Sequence, residues 1–166
     1  GAGVSIENGA NIGNHVKIQS GGSPIFKGVK LEDYVFIGPS VVFTNDHNPR
    51  AFGDWELAET VVEIGASIGA NSTIVAPVRV GALSLVGAGS VVTRDVRTGA
   101  LVFGQPARVR GLVDVSGNVI RSVDEAYERD YMRLFLTSEL QHLTNPRASI
   151  ETLLRDKAKE VITIEG

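Results

Sequence analysis

The stretch VEIGASIGANSTIVAPVRVGALSLVGAGSVV, residues 62–92, has an aliphatic residue at every sixth position: Val62, Ile68, Ile74, Val80, Val86 and Val92. An α-helix spaces apolar residues by alternating threes and fours, and a half-buried strand spaces them by twos. A strict six is neither. It fits a short strand followed by a corner, with the aliphatic side chain turned inward. Glycine follows the aliphatic at Gly69, Gly81 and Gly87, where a missing Cβ eases the turn. A small or β-branched residue stands four places on, at Ser72, Val78, Ser84 and Ser90. Three such units close a triangular coil of about 18 residues, and coils stack at roughly 4.8 Å. No coil buries its interior alone, so each depends on its neighbours.

The same beat runs backwards through the chain. Ile6, Ile12 and Ile18 are six apart. After a slip of one residue around Gly21-Gly22-Ser23-Pro24, Ile25, Leu31, Ile37 and Phe43 resume it, with Gly13, Gly38, Val16 and Val41 in the expected companion places. Six consecutive in-phase positions set aside an ordinary β-sandwich. The expected fold is all-β, a parallel β-helix of hexapeptide repeats over residues 1–111. Because the repeat is already under way at Gly1, the chain is expected to be missing its first turns or to begin on a tag remnant.

The tail, residues 112–166, has no six-residue period. Val113–Val123 carries Ser116-Gly117-Asn118 between apolar runs and predicts a hairpin. Asp124 can cap a helix with Tyr127, Tyr131, Leu134 and Phe135 along one face, and Pro146 stands where a second helix begins. A structural role is expected for this tail, folded back on the prism or on a neighbouring copy.

Composition narrows the function. A net charge of −3 over 166 residues argues against a nucleic-acid binder. The absence of cysteine excludes disulfides and thiolate metal sites. No apolar run reaches the roughly 18 residues of a membrane span, and no signal-peptide pattern is present. These features fit a cytoplasmic location.

The period breaks once, within FTNDHNPRAFGDWELAETVVEIG, residues 43–65. A flat-sided prism offers no pocket, so chemistry needs something that projects, and the tract 44–61 is the long excursion available. Asn45, Asp46, His47, Asn48 and Arg50 crowd into six positions stiffened by Pro49. Imidazole titrates near neutrality, which makes His47 the natural base candidate. Asp46 and Arg50 can hold hydroxyls, a carboxylate or a phosphate, or can pair with each other to shape the loop. His15 lies at a corner and His142 in the tail. From Arg79 to Arg110 there are five arginines (79, 94, 97, 108, 110) and one acid, Asp95.

The repeat with its projecting loop resembles the left-handed β-helix acyltransferases. Finer motifs are IGNHVKIQ (12–19), LEDYVFIGPSVVFTNDHNPRA (31–51), GASIGANSTI (65–74), VGAGSVVTRDV (86–96) and GQPARVRG (104–111). Together they are similar to the N-acetyltransferases that act on the 3-amino group of a nucleotide-linked hexose, a precursor of bacterial surface polysaccharide. The chain departs from that pattern at Phe26-Lys27, where the family often has an aromatic–acidic pair. It also lacks the coils with which family members begin.

The resemblance implies a homotrimer using acetyl-coenzyme A and a nucleotide-linked amino sugar, with no metal. It places Asn45 at the acceptor amine and Lys17 and Gln19 on the nucleotide-sugar. It lays Pro106 and Ala107 against the adenine, puts Arg108 near a phosphate, and leaves a groove for the pantetheine arm at Ala70, Gly87 and Ala88. The basic run from Arg79 suits coenzyme A's phosphates. The departing thiolate is an alternative to His47 as the proton's destination. Other readings are a different small acceptor, such as serine, or a non-catalytic scaffold. A hexapeptide carbonic-anhydrase site needs three converging histidines, and one of the three here, His142, lies outside the repeat.

Overall fold

The structure, a computed structural model, describes residues 1–113 and 117–120. From Ser5 to Val92 the strands are two or three residues long and come in threes. The first coil holds β1 (Ser5–Ile6), β2 (Asn11–Ile12) and β3 (Lys17–Ile18), and the second β4 (Pro24–Ile25), β5 (Val29–Leu31) and β6 (Phe36–Ile37). The third holds β7 (Val42–Phe43), β8 (Thr60–Val62) and β9 (Ser67–Ile68). The fourth holds β10 (Thr73–Ile74), β11 (Val78–Val80) and β12 (Leu85–Val86). A fifth begins with β13 (Val91–Val92) and reaches β14 (Ala100–Gly104).

Most strands pair in parallel with the strand three further along, and β12 pairs with β14. The first face carries β1–β4 and β7–β10–β13, the second β2–β5–β8–β11, and the third β3–β6–β9–β12–β14. This is an all-β, left-handed parallel β-helix. The slip around Gly21 is visible in the register. Ser5 pairs with Pro24 and Lys17 with Phe36, one residue further along than in a later coil, where Ser67 pairs with Leu85. The loop does not disturb the stack, since Val29, before it, and Val78, after it, both pair with Thr60.

The six-residue aliphatics fill the interior. Ile25, Leu31, Ile37, Phe43, Val62, Ile68, Ile74, Val80, Val86 and Val92 are all fully buried. Ile12 and Ile18 are only partly covered, and Ile6 is 54% exposed, so the interior is sealed from the second coil onwards. At the corners, carboxylates staple one coil to the next. Glu32 accepts the Ile64 N–H at 3.1 Å and Glu63 accepts the Ala82 N–H at 2.9 Å. These satisfy amides that the short strands leave unpaired.

The parallel stack ends sooner than the expected boundary at residue 111. After Val102 the chain turns through Gln105-Pro106, and β15 (Ala107–Val113) returns antiparallel to β14. Gly104, at φ 110°, makes a hairpin turn here rather than a corner. A further strand, β16 (Val119–Ile120), pairs antiparallel with β15 through Leu112–Ile120 and Val113–Val119. The helices expected after Asp124 and at Pro146 lie outside the described residues.

Candidate active site

The loop leaves the prism at the corner between the first and second faces, and its neck is built like a small hairpin. Asn45 O accepts the Ala58 N–H at 2.9 Å, Asp46 bridges Leu57 antiparallel, and the His47 N–H reaches Glu56 O at 3.4 Å. Below it, the Thr44 hydroxyl accepts the Ala76 N–H at 2.9 Å, tying the neck to the following coil. Leu57 closes over Gly28. A Cβ at Gly28 would lie 2.8 Å from Leu57 Cδ1, and its φ of +89° disfavours any side chain there.

Asn45 is locked from the preceding coil as well, because its Nδ2 donates to Lys27 O at 3.1 Å. That bond fixes the amide orientation and leaves Oδ1 as the acceptor free for a ligand. Asp46 turns inward on its own loop, with one carboxylate oxygen accepting the Asn48 N–H at 3.0 Å. Arg50 donates to Pro49 O at 2.7 Å. The Asp46–Arg50 pair weighed as a loop-shaping contact is absent. Among the described residues the ion pairs are Lys30–Glu32 and Arg79–Glu63. His47 is exposed, and beyond it Phe52 and Trp55 project at 79% and 53% exposure.

The residues expected to cradle the acyl donor collect at another edge, between the third face and the first. Gly89 N donates to Ala70 O at 2.8 Å, and Gln105 Nε2 donates to Gly89 O at 2.8 Å. Ala70, Gly87, Ala88 and Pro106 therefore line one narrow ridge. Coils touch tightly there: a Cβ at Gly69 would sit 2.5 Å from Ala88 N. Ala107 is half-buried, and Arg108 is exposed with its guanidinium on Ala107 O at 3.0 Å. Gln105 went unnoticed as a contact in the sequence, although it lies inside the GQPAR motif.

Arg79 does not join the basic run. Arg79 sits on the second face, paired with Glu63 at 2.6 Å, and that hydrogen-bonded carboxylate raises its pKa. It is committed to the wall, whereas Arg108 and Arg110 stand exposed on β15. Lys17 and Gln19 lie on the first coil. The Lys17 ammonium is 5.9 Å from the centre of the Phe36 ring, and Gln19 is half-buried.

Within one chain, then, the loop residues Asn45 and His47 and the ridge residues Ala70, Gly87 and Ala88 occupy opposite edges of the first face. About four or five residues of extended chain separate them, roughly 15 Å. No cluster of three or more potential metal ligands occurs among the described residues.

No family model matches the sequence. The chain is 50% identical over 76 residues to the dTDP-3-amino-3,6-dideoxy-α-D-galactopyranose 3-N-acetyltransferase of Aneurinibacillus thermoaerophilus, covering 46% of this chain and 37% of that one. Among solved structures it superposes on a hexapeptide-repeat acetyltransferase of Vibrio cholerae complexed with acetyl coenzyme A. There the TM-score is 0.54 and the identity 31%, over 67% of this chain and 66% of the other. It also superposes on the serine acetyltransferase of Brucella abortus in complex with coenzyme A, with TM-score 0.54 and 28% identity over 64% and 41% of the two chains. The chain spans less than half the length of the curated relatives it matches. The stacked hexapeptides and these likenesses agree: the chain has the left-handed β-helix fold of the hexapeptide-repeat acetyltransferases and is similar to them in sequence.

Proposed function

We propose that this chain transfers an acetyl group from acetyl-coenzyme A to the amino group of a nucleotide-linked sugar. The observation that carries the reading is Asn45, held by Lys27 O so that its side-chain oxygen is left as an acceptor at the base of a rigid loop. An amine donating one N–H to that oxygen presents its lone pair in a fixed direction. The nitrogen attacks the thioester carbonyl, the C–N bond forms, and the C–S bond breaks as the tetrahedral intermediate collapses. His47 takes the proton the amine loses and passes it to the departing thiolate.

The likeness to a sugar 3-N-acetyltransferase supports the acceptor, and the coenzyme A complexes of two structural relatives support the donor. Separation of Asn45 from the ridge at Ala70, Gly87 and Ala88 supports a homotrimer, in which one chain's loop meets the next chain's ridge. Lys17, Gln19, Asp46 and Arg50 hold the sugar nucleotide, and Pro106, Ala107 and Arg108 hold the adenine end of coenzyme A. The reaction needs no metal. The product is a precursor of surface polysaccharide made in the cytoplasm.

The test is thiol release from acetyl-coenzyme A with 3-amino-sugar nucleotides and, in parallel, with serine. Release with an amino-sugar nucleotide and none with serine is expected. Release with serine alone would overturn the acceptor, and no release from either would favour a scaffold.

A further inference from the structure

The loop replaces one corner of the prism, and the matching corners of the two preceding coils are plain tight turns. Two places after the aliphatics Ile6, Ile25 and Phe43 stand Asn8, Lys27 and Asn45. In the second coil the Val29 N–H donates to Phe26 O at 3.2 Å, and Gly28 has φ 89°. That is a type II turn, whose third residue needs a positive φ and is therefore glycine. Its central peptide, Lys27–Gly28, directs its oxygen at the third coil, where Asn45 Nδ2 donates to it at 3.1 Å. A type I turn has this peptide turned over and the oxygen aimed away.

The turn is gripped from both sides. In the first coil, Glu7 Oε2 accepts the Lys27 N–H at 3.2 Å, and Gly9 O lies 3.5 Å from the Gly28 nitrogen, which donates to it. Glu7 is itself fixed to the second coil, since its backbone N–H donates to Ile25 O at 2.9 Å. In the third coil, the Thr60 N–H donates to Gly28 O at 3.0 Å. Three successive coils are thus linked through Glu7, Lys27 and Asn45. Glu7 is exposed and makes no ion pair among the described residues.

We propose that Glu7 is a positioning residue for the Asn45 amide, acting through the Lys27–Gly28 peptide. A carbonyl oxygen only accepts, so Lys27 O selects Nδ2 and leaves Oδ1 for the acceptor amine. With that peptide loosened, the amide can turn over and present its N–H groups instead. An N–H aimed at an amine bonds the lone pair that should attack the thioester, so a flipped amide opposes the reaction. Orientation of Asn45 therefore governs turnover more than affinity. The inference rests on the acetyl-transfer reading above for the role of Asn45, and on the hydrogen bonds alone for the link from Glu7.

Two variants of the full chain separate hydrogen bonding from charge. Glu7→Met keeps the stem and loses the acceptor, whereas Glu7→Gln keeps an acceptor and loses the charge. Both should melt close to the parent, since Glu7 is exposed. With an amino-sugar nucleotide, Glu7→Met should lower kcat about fivefold, as one lost hydrogen bond allows, and leave the KM for acetyl-coenzyme A unchanged. Glu7→Gln should keep most of the turnover. In an Asn45→Ala background, Glu7→Met should cost nothing more. Nuclear magnetic resonance with isotopically labelled asparagine reads the link without turnover. The Asn45 Nδ2 signals, assigned by their loss in Asn45→Ala, should move in Glu7→Met and stay in place in Glu7→Gln. The positioning role is refuted by parental kcat in Glu7→Met, by losses that multiply in the double variant, or by unmoved amide signals. A parent that releases no thiol with any acceptor overturns the acetyltransferase reading instead, and the amide signals then decide for or against the link.

Discussion

The wall at residues 62–92 and the loop at 44–59 use the same backbone bonds for opposite ends. In the wall every sixth side chain is fully buried, and strand amides are spent on the neighbouring coil. In the loop the ladder stops after the neck at Asn45–His47 and Glu56–Ala58, and residues 47–56 are exposed. Side-chain identity in the wall is therefore dictated by volume. In the loop it is free to be chosen by chemistry, because among the described residues nothing covers the tip.

The largest effect expected from this contrast lies at the seam. Among the described residues Phe43 is the bulkiest fully buried side chain, and it immediately precedes the loop. Phe43→Ala should cost about 3–5 kcal/mol and lower the melting temperature by roughly 10 °C. Its neighbour Val42 faces out at 40% exposure, so Val42→Ala should change stability by no more than about 0.5 kcal/mol. Calorimetric melts of the two variants compare inside with outside one residue apart. Equal shifts would mean that the alternation does not govern the seam.

Next come the loop residues, where activity and stability should separate. Asn45→Ala removes the acceptor oxygen along with one hydrogen bond to Lys27 O. A drop of about a hundredfold in kcat is expected, with a stability loss of only about 1 kcal/mol. His47→Gln should lower kcat by at least about tenfold with no change in melting, since His47 is exposed and general-base contributions are of that order or larger. Steady-state kinetics beside melts read both. An unchanged kcat in His47→Gln would assign the proton directly to the thiolate.

The two regions were also unequally legible in the sequence. The prism could be read because its rule is periodic: each inward aliphatic repeats the constraint of the last, and even the slip near Gly21 left a mark in the spacing. Asn45 and the corner residues Ala70, Gly87 and Ala88 are singled out by motif alone. What escaped depends on contacts between coils that no local spacing records. Examples are Asn45 on Lys27, Leu57 over Gly28, Tyr34 on His15, and Glu63 capturing Arg79, which removed that arginine from the expected basic run. The reversal at Gln105-Pro106 escaped because GQPAR had already been given a ligand-binding meaning. A Gly-x-Pro tract is equally a hairpin turn.

The smallest effect tests whether the wall's surface chemistry matters at all. Glu63 holds the Arg79 guanidinium at 2.6 Å with one oxygen and the Ala82 N–H with the other. Glu63→Gln keeps an acceptor for Ala82 and removes the charge, so only the ion pair is lost. Arg79 is more than half exposed in that pair, which limits its worth to under about 1 kcal/mol, less in high salt. The pair raises the arginine pKa. By linkage, its contribution is fully present below the unfolded value and is lost only as pH climbs past it. Because arginine's ordinary pKa already lies above any working pH, the Arg79 end adds no pH dependence near neutrality. Melts of the parent and Glu63→Gln at neutral pH should therefore differ by a degree or two in low salt and converge as salt rises. A difference that persists at 1 M salt would show that Glu63→Gln removes more than a screened charge, so that the amide does not reproduce the carboxylate's hydrogen bonds to Arg79 and Ala82.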